Sequence, residues 1–162
     1  MKIKEGEKLP SAEFFYIDSN NALQKIDTDS LLRGHQAIIF GVPGAFTKVC
    51  SSKHLPGYVK NFEEAKKKGV TKIICLSVND PNVMQAWGEV HGTKDKIIML
   101  SDPYCKFTKS IGAEIDRNER GLGMRSSRYT MLVKEGVVIR IKEESDTAAC
   151  EISAAENFLR EI

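Results

Sequence analysis

Apolar and polar positions alternate in two short runs near the start of the chain, Glu13 to Ile17 and Leu23 to Ile26. The turn-forming Asp18 to Asn21 lies between them, so the pattern predicts a hairpin. The next run, Gln36 to Val42, is continuously apolar and short enough for a strand buried on both faces. After Pro43 and Gly44 the period becomes helical from about Lys48 to Lys68, with an interruption expected near Pro56 and Gly57. Lys72 to Val78 is a second buried strand, and Asn79-Asp80-Pro81 supplies a cap and an initial proline for a helix over Asn82 to Val90. Lys96 to Leu100 is a third strand, and Ser101-Asp102-Pro103 starts a helix that runs to about Ser110. Near the end, Arg128 to Val133 and Val137 to Ile141 flank Lys134-Glu135-Gly136, which is hairpin chemistry. A last helix is predicted from Ser153 to Arg160.

A hairpin, two β/α crossovers, a second hairpin and a terminal helix imply an α/β protein with a mixed central sheet flanked by helices in three layers. The thioredoxin-like fold is the expected member of that class. No repeat, low-complexity stretch or linker divides the chain, so residues 1–162 are expected to form one domain. Lys and Arg number 24 against 22 Asp and Glu, and the charges are interspersed, which argues against a nucleic-acid partner. The basic run Lys66 to Lys68 reads as a solvated helix end before Gly69. No stretch is long and apolar enough to span a membrane, and Met1 to Lys8 lacks a signal core, so a cytoplasmic location is expected. Cys50, Cys75, Cys105 and Cys150 show neither C-x-x-C spacing nor a zinc pattern, and no metal or other cofactor is expected. Each is either a core residue or a reactive one.

The chemistry concentrates in Pro43-Gly44-Ala45-Phe46-Thr47-Lys48-Val49-Cys50, where a strand's carboxyl end passes into a helix. Such junctions hold sites in open α/β sheets. With Thr47 as N-cap, Cys50 falls in the first helical turn, where free N–H groups and the helix dipole favour a thiolate. Ionisation alone does not make a thiol react fast with an oxidant; donors must also meet the charge that develops on the leaving oxygen. The Thr47 hydroxyl and the N–H groups of Val49 and Cys50 are the local candidates for those donors. Pro43, without an N–H, is placed to cover the thiol and keep water from its oxidised form. Taken singly, Thr47 reads as a plain cap, Pro43-Gly44 as a turn and Cys50 as a core residue. Their joint spacing points to reactivity.

The same segment resembles the peroxiredoxin family, in its type II, or peroxiredoxin-5-like, subfamily. The resemblance continues in Lys8-Leu9-Pro10, Ser77-Val78-Asn79-Asp80-Pro81, Gly121-Leu122-Gly123 with Arg125, and Arg128-Tyr129-Thr130-Met131. It implies a thioredoxin-like fold and reduction of hydroperoxides without metal or haem. It further implies a peroxidatic Cys50 supported by Pro43 and Thr47, and an active-site Arg128. On its own, Arg128 at a strand end reads as a solvated charge; near Cys50, its guanidinium would favour the thiolate and hold peroxide oxygens. Arg125 is a weaker candidate for the same neighbourhood. Lys48 and Val49 depart from the family's usual proline and small residue, and the larger Val49 is expected to restrict bulky hydroperoxides.

Attack on peroxide leaves a sulfenic acid that a second thiol must reduce. Cys150, in the loop Ser145 to Glu151, is a possible resolving cysteine or else a surface thiol; Cys75 is a buried core residue or, less readily, the resolving one. Cys105, expected in the first turn after Pro103, has no assigned role. The electron donor is expected to be a separate molecule, glutathione with glutaredoxin or thioredoxin, and by resemblance the chain is expected to form a homodimer. His54, at i+4 from Cys50, suggests a hydrolytic Cys–His pair only weakly, and His35 and His91 read as surface residues. A redox sensor that uses Cys50 as a switch, and a disulfide reductase, are the rival functions; rapid multiple turnover with peroxide separates the enzyme from both.

Overall fold

The structure, a computed structural model, describes residues 1–162. Its first hairpin pairs β1 (Glu13–Ile17) with β2 (Leu23–Asp27), and Asp18 closes the turn by accepting from the N–H groups of Asn20 and Ala22. A helical turn absent from the sequence expectations follows at once, α1 (Thr28–Leu32). Asp27 caps it by accepting from the Ser30 N–H, and Leu31 and Leu32 are buried. The apolar strand β3 (Gln36–Gly41) then leads into the cysteine segment.

The helix expected over 48–68 is built in pieces. It starts at Lys48 and widens over Cys50–His54, where the Leu55 N–H reaches back five residues to the Cys50 carbonyl. It continues as α2 (Leu55–Lys60), kinks at Asn61 and ends as α3 (Phe62–Lys67). Pro56 and Gly57 therefore do not break it. A proline ring meets the carbonyl four residues earlier in a regular helix, and the widened turn gives that carbonyl room. The break falls at Asn61 instead, whose side-chain amide donates to the Gly57 carbonyl at 2.8 Å.

Strand β4 (Lys72–Ser77) precedes α4 (Pro81–Val90), which Asp80 caps through the N–H groups of Asn82 and Val83. Strand β5 (Ile98–Ser101) is followed by Asp102, whose buried carboxylate accepts from the N–H groups of Lys106, Phe107 and Thr108 and so starts α5 (Lys106–Ser110). Cys105 lies before that helix with φ 56°, and not in its first turn. A small ribbon that was not foreseen pairs β6 (Glu114–Asp116) with β7 (Met124–Ser126). The closing hairpin joins β8 (Tyr129–Lys134) to β9 (Val137–Glu143) through Glu135 and Gly136. Both turn residues have positive φ, 47° and 83°, the geometry that suits a two-residue hairpin. The last helix, α6, spans Ala155–Leu159, shorter than expected.

The seven strands order as β2-β1-β5-β4-β3-β8-β9, with β3, β4 and β5 mutually parallel and the others antiparallel. Strand periodicity sorts the core into two layers. Ile38, Phe40, Ile73, Cys75 and Leu132 pack on one face with residues of α2, α4 and α6, whereas Ala37, Ile39, Ile74, Leu76, Met131 and Val133 pack on the other with α1 and α5. Cys50 belongs to the first layer.

Candidate active site

The loop after β3 is held from two sides. On one, Asn79 accepts the Ala45 N–H at 2.8 Å and the Ser77 hydroxyl at 2.7 Å. On the other, Arg125 donates to the carbonyls of Leu122, at 2.8 Å, and Pro43, at 3.4 Å. Gly44 is pinched between them: a Cβ there would lie 3.0 Å from Arg125 Nη1 and 3.2 Å from Thr47 Cγ2. Pro43 is buried, and Phe46, with φ 61°, is 55% exposed. Asn79 was not singled out in the sequence, although it lies inside a quoted motif.

Thr47 caps the following helix through its backbone, since its carbonyl accepts from the Ser51 N–H at 3.0 Å. Its hydroxyl donates to the Gly44 carbonyl at 2.7 Å. A hydroxyl has one proton, so Thr47 offers a ligand its lone pairs, and the expectation that it donates to the leaving oxygen is corrected. The N–H groups of Val49 and Cys50 make no hydrogen bond to the rest of the chain. They are the available donors of this turn.

Cys50 is fully buried, and so is Arg128, which lies at the entrance of β8 and is only 1% exposed. The solvated reading of Arg128 therefore fails. β8 pairs with β3, and residues 128, 130 and 132 alternate onto the face that holds Cys50. Arg128 Nη2 donates to Cys50 Sγ at 3.3 Å and to the Thr147 carbonyl at 2.9 Å, and Nε reaches the same carbonyl at 3.2 Å. Nη1 lies 3.1 Å from His54 Nδ1. Of the five guanidinium hydrogens, these contacts use four, which leaves one on Nη1 uncommitted.

His54 sits here as a member of the site, not as the base of a hydrolytic pair. A guanidinium only donates, so Nδ1 accepts and the ring proton resides on Nε2, 3.2 Å from the Ser153 carbonyl. Burial, and then the adjacent Arg128 charge, lower the imidazole from 6.5 to about 3. It is neutral at physiological pH. The Ser153 carbonyl also accepts from Thr130 at 2.8 Å and Tyr58 at 3.0 Å. The spacing from Cys50 gave no hint of this role; the signal lies in the long-range pairing of β3 with β8.

Cys150, expected at the surface if not a resolving thiol, is 8% exposed in the loop that carries Thr147. Burial pushes its thiol up, Arg128 and a hydrogen bond with Ser153 oppose, and Glu144 and then Cys50 add. Cys75 is completely buried, and burial with Cys50 nearby pushes its thiol well up against the pull of Arg128. Arg128 and Cys50 thus act electrostatically on both other thiols, whereas Cys105 responds to burial and to Asp102. All four cysteines are free thiols. No group of three or more His, Cys, Asp and Glu is arranged to hold a metal ion, and no helix is long and apolar enough to cross a membrane.

Known proteins resemble this chain over nearly its whole length. The Redoxin family model matches residues 4–159. Peroxiredoxin-2B of Arabidopsis thaliana is 39% identical over 160 residues, covering 99% of this chain and 98% of its own. The chloroplastic Peroxiredoxin-2E of the same plant is 40% identical over 163 residues, 99% of this chain and 69% of its own. Among solved structures, reduced Prx3 from Vibrio vulnificus in complex with hydrogen peroxide has a TM-score of 0.92 at 38% identity over 98% of each chain. Peroxiredoxin 5 from Alvinella pompejana has a TM-score of 0.84 at 30% identity, over 98% of this chain and 96% of its own. A thioredoxin-like sheet, a cysteine at the junction after β3 and likeness over nearly the whole length lead to one conclusion: this chain belongs to the type II peroxiredoxins and is a thiol peroxidase, an antioxidant oxidoreductase.

Proposed function

We propose that Cys50 is the peroxidatic nucleophile and that Arg128, Thr47, Pro43 and the N–H groups of Val49 and Cys50 form its peroxide site. The observation that carries this reading is the buried contact of Arg128 Nη2 with Cys50 Sγ at 3.3 Å. The thiolate is the reactive form of cysteine, and a guanidinium donor against sulfur stabilises its negative charge. Sulfur attacks one peroxide oxygen, the O–O bond breaks, and the departing oxygen takes up a proton as water or alcohol. Sulfur is oxidised to sulfenic acid and the peroxide is reduced. The uncommitted Nη1 hydrogen of Arg128 and the two free N–H groups are donors for the oxygens, while the Thr47 lone pairs accept the hydrogen of the attacked hydroperoxide. This division of labour stabilises the charge that grows in the transition state. Val49, half-buried beside the thiol, favours small hydroperoxides over bulky ones.

A thiol closes the cycle. Cys150 is the favoured resolving residue, because its loop also carries the Thr147 carbonyl to which Arg128 donates; Cys75, inside β4, is the second candidate. Glutathione with glutaredoxin, or thioredoxin, is the proposed external reductant. The exposed Phe46 beside the site supports a homodimer with its contact nearby, and one cytoplasmic domain over residues 1–162 completes the reading.

Replacing Cys50 by Ser is expected to abolish peroxide consumption with any thiol donor; retained consumption overturns the proposal. In peroxide-treated wild-type protein, peptide mapping is expected to find a Cys50–Cys150 link. A lasting glutathione adduct or sulfinic acid at Cys50 contradicts the resolving role. Light scattering at micromolar concentration is expected to give a dimer mass, and a monomer mass refutes that part.

A further inference from the structure

Arg128 takes its aim from a single loop. Two of its three nitrogens donate to the Thr147 carbonyl, and the third meets His54, whose ring is in turn held by the Ser153 carbonyl. Thr147 and Ser153 belong to one excursion of the chain. Its base is closed by Glu144, whose N–H donates to the Arg128 carbonyl at 2.9 Å. The Glu144 carboxylate also accepts from the Ser153 N–H and hydroxyl at 2.9 and 2.8 Å. Its tip is held from outside: Arg117, just beyond β6, donates to the Thr147 hydroxyl at 2.6 Å. Thr147 thus joins two arginines, one through its side chain and one through its carbonyl.

We infer that Thr147 is a positioning residue for the peroxide step, and that the Arg117 bond to its hydroxyl sets the direction of the carbonyl that aims Arg128. The inference rests on the role proposed above for Arg128 at Cys50. Its physical basis is the planarity of guanidinium. One carbonyl that receives both Nε–H and Nη2–H fixes the plane of the group, and with it the direction of the remaining hydrogens toward sulfur and peroxide. Without the Arg117 bond the peptide that carries the Thr147 carbonyl keeps only its anchor at the other end, the Ala148 N–H that donates to Asp146 at 2.9 Å, and its tilt loosens. Arg128 then keeps its charge near the sulfur and loses its aim. Transition-state stabilisation depends on aim to within about 1 Å, whereas general attraction of a cation for negative sulfur falls off slowly with distance. The two effects separate in experiment.

The test measures two rates at Cys50 of the full chain, single-turnover oxidation by hydrogen peroxide and alkylation by iodoacetamide. T147V and R117M each remove the Arg117–Thr147 bond and are expected to slow oxidation roughly 5-fold to 50-fold. Alkylation, which places no developing charge on a peroxide oxygen, is expected to stay within about threefold of wild type. T147S keeps the hydroxyl and is expected to restore oxidation to within about twofold of wild type. Because both variants break one bond, the double variant T147V/R117M is expected to be no slower than the slower single one. Oxidation at the wild-type rate in T147V and R117M, a T147S variant as slow as T147V, or rates that fall multiplicatively in the double variant overturn the inference. R128M separates the two levels: if it oxidises at the wild-type rate, the reading of Arg128 fails, and if it alone is slow, only the role of Thr147 fails. Arg117 is half-buried at the outer side of the loop, so R117M reads the same bond if T147V does not fold.

Discussion

An uncharged imidazole serves Arg128 better than a charged one, because protonation of His54 would remove the acceptor Nδ1 and set a second cation against the guanidinium. The folded value of about 3 lies below the ordinary 6.5. Between those values the unfolded chain therefore binds a proton that the folded chain does not. The contribution of His54 to stability is then constant above about pH 6.5 and declines as pH falls toward 3, by about 1.4 kcal/mol per unit. A Gln at this position can accept from Arg128 and donate to Ser153 without titrating. Urea unfolding at about pH 7 and about pH 5 is expected to show wild type losing about 2 kcal/mol more than H54Q between the two; equal losses contradict the assignment. Pro43, Thr47 and Cys50 were legible as a group from their spacing, whereas Arg128 joined them only through the family resemblance. His54 was not legible, because its partner is 74 residues away and its proximity to Cys50 in the chain suggested different chemistry.

The strands of the central sheet were legible as elements, since β3 and β4 are continuous apolar runs that only a doubly covered position explains. Their ends shifted by one or two residues, and short elements escaped: α1 is a single turn that depends on the Asp27 cap, and β6 and β7 are held by each other, without an apolar signal of their own. Within these elements, Gly41 carries a close approach that composition does not reveal. It pairs with Tyr129, and a Cβ there would lie 2.1 Å from the Tyr129 ring. The ring is fully buried and cannot swing into solvent. G41A is therefore expected to destabilise the fold by about 1–3 kcal/mol or more, and to slow peroxide oxidation as well, because Tyr129 adjoins Arg128. Denaturant midpoints and the oxidation rate check both; a variant as stable and as fast as wild type contradicts the tight register of β3 and β8.

The three-layer arrangement followed from the alternation of strand and helix patterns, but the order of the strands did not. Local periodicity says which face of a strand is buried and nothing about its neighbour, and the pairing of β3 with β8 is set only when the whole sheet closes. That pairing brings together Cys50 and Arg128, which are 78 residues apart. The central claim is that this juxtaposition accelerates peroxide reduction specifically, beyond making the sulfur negative. The direct test compares R128M with wild type in oxidation by hydrogen peroxide and in alkylation by iodoacetamide, both at saturating pH for the thiolate. The peroxide rate is expected to fall roughly 100-fold to 1000-fold, with alkylation within about tenfold. An equal fall in both rates, or none in the peroxide rate, would contradict the claim.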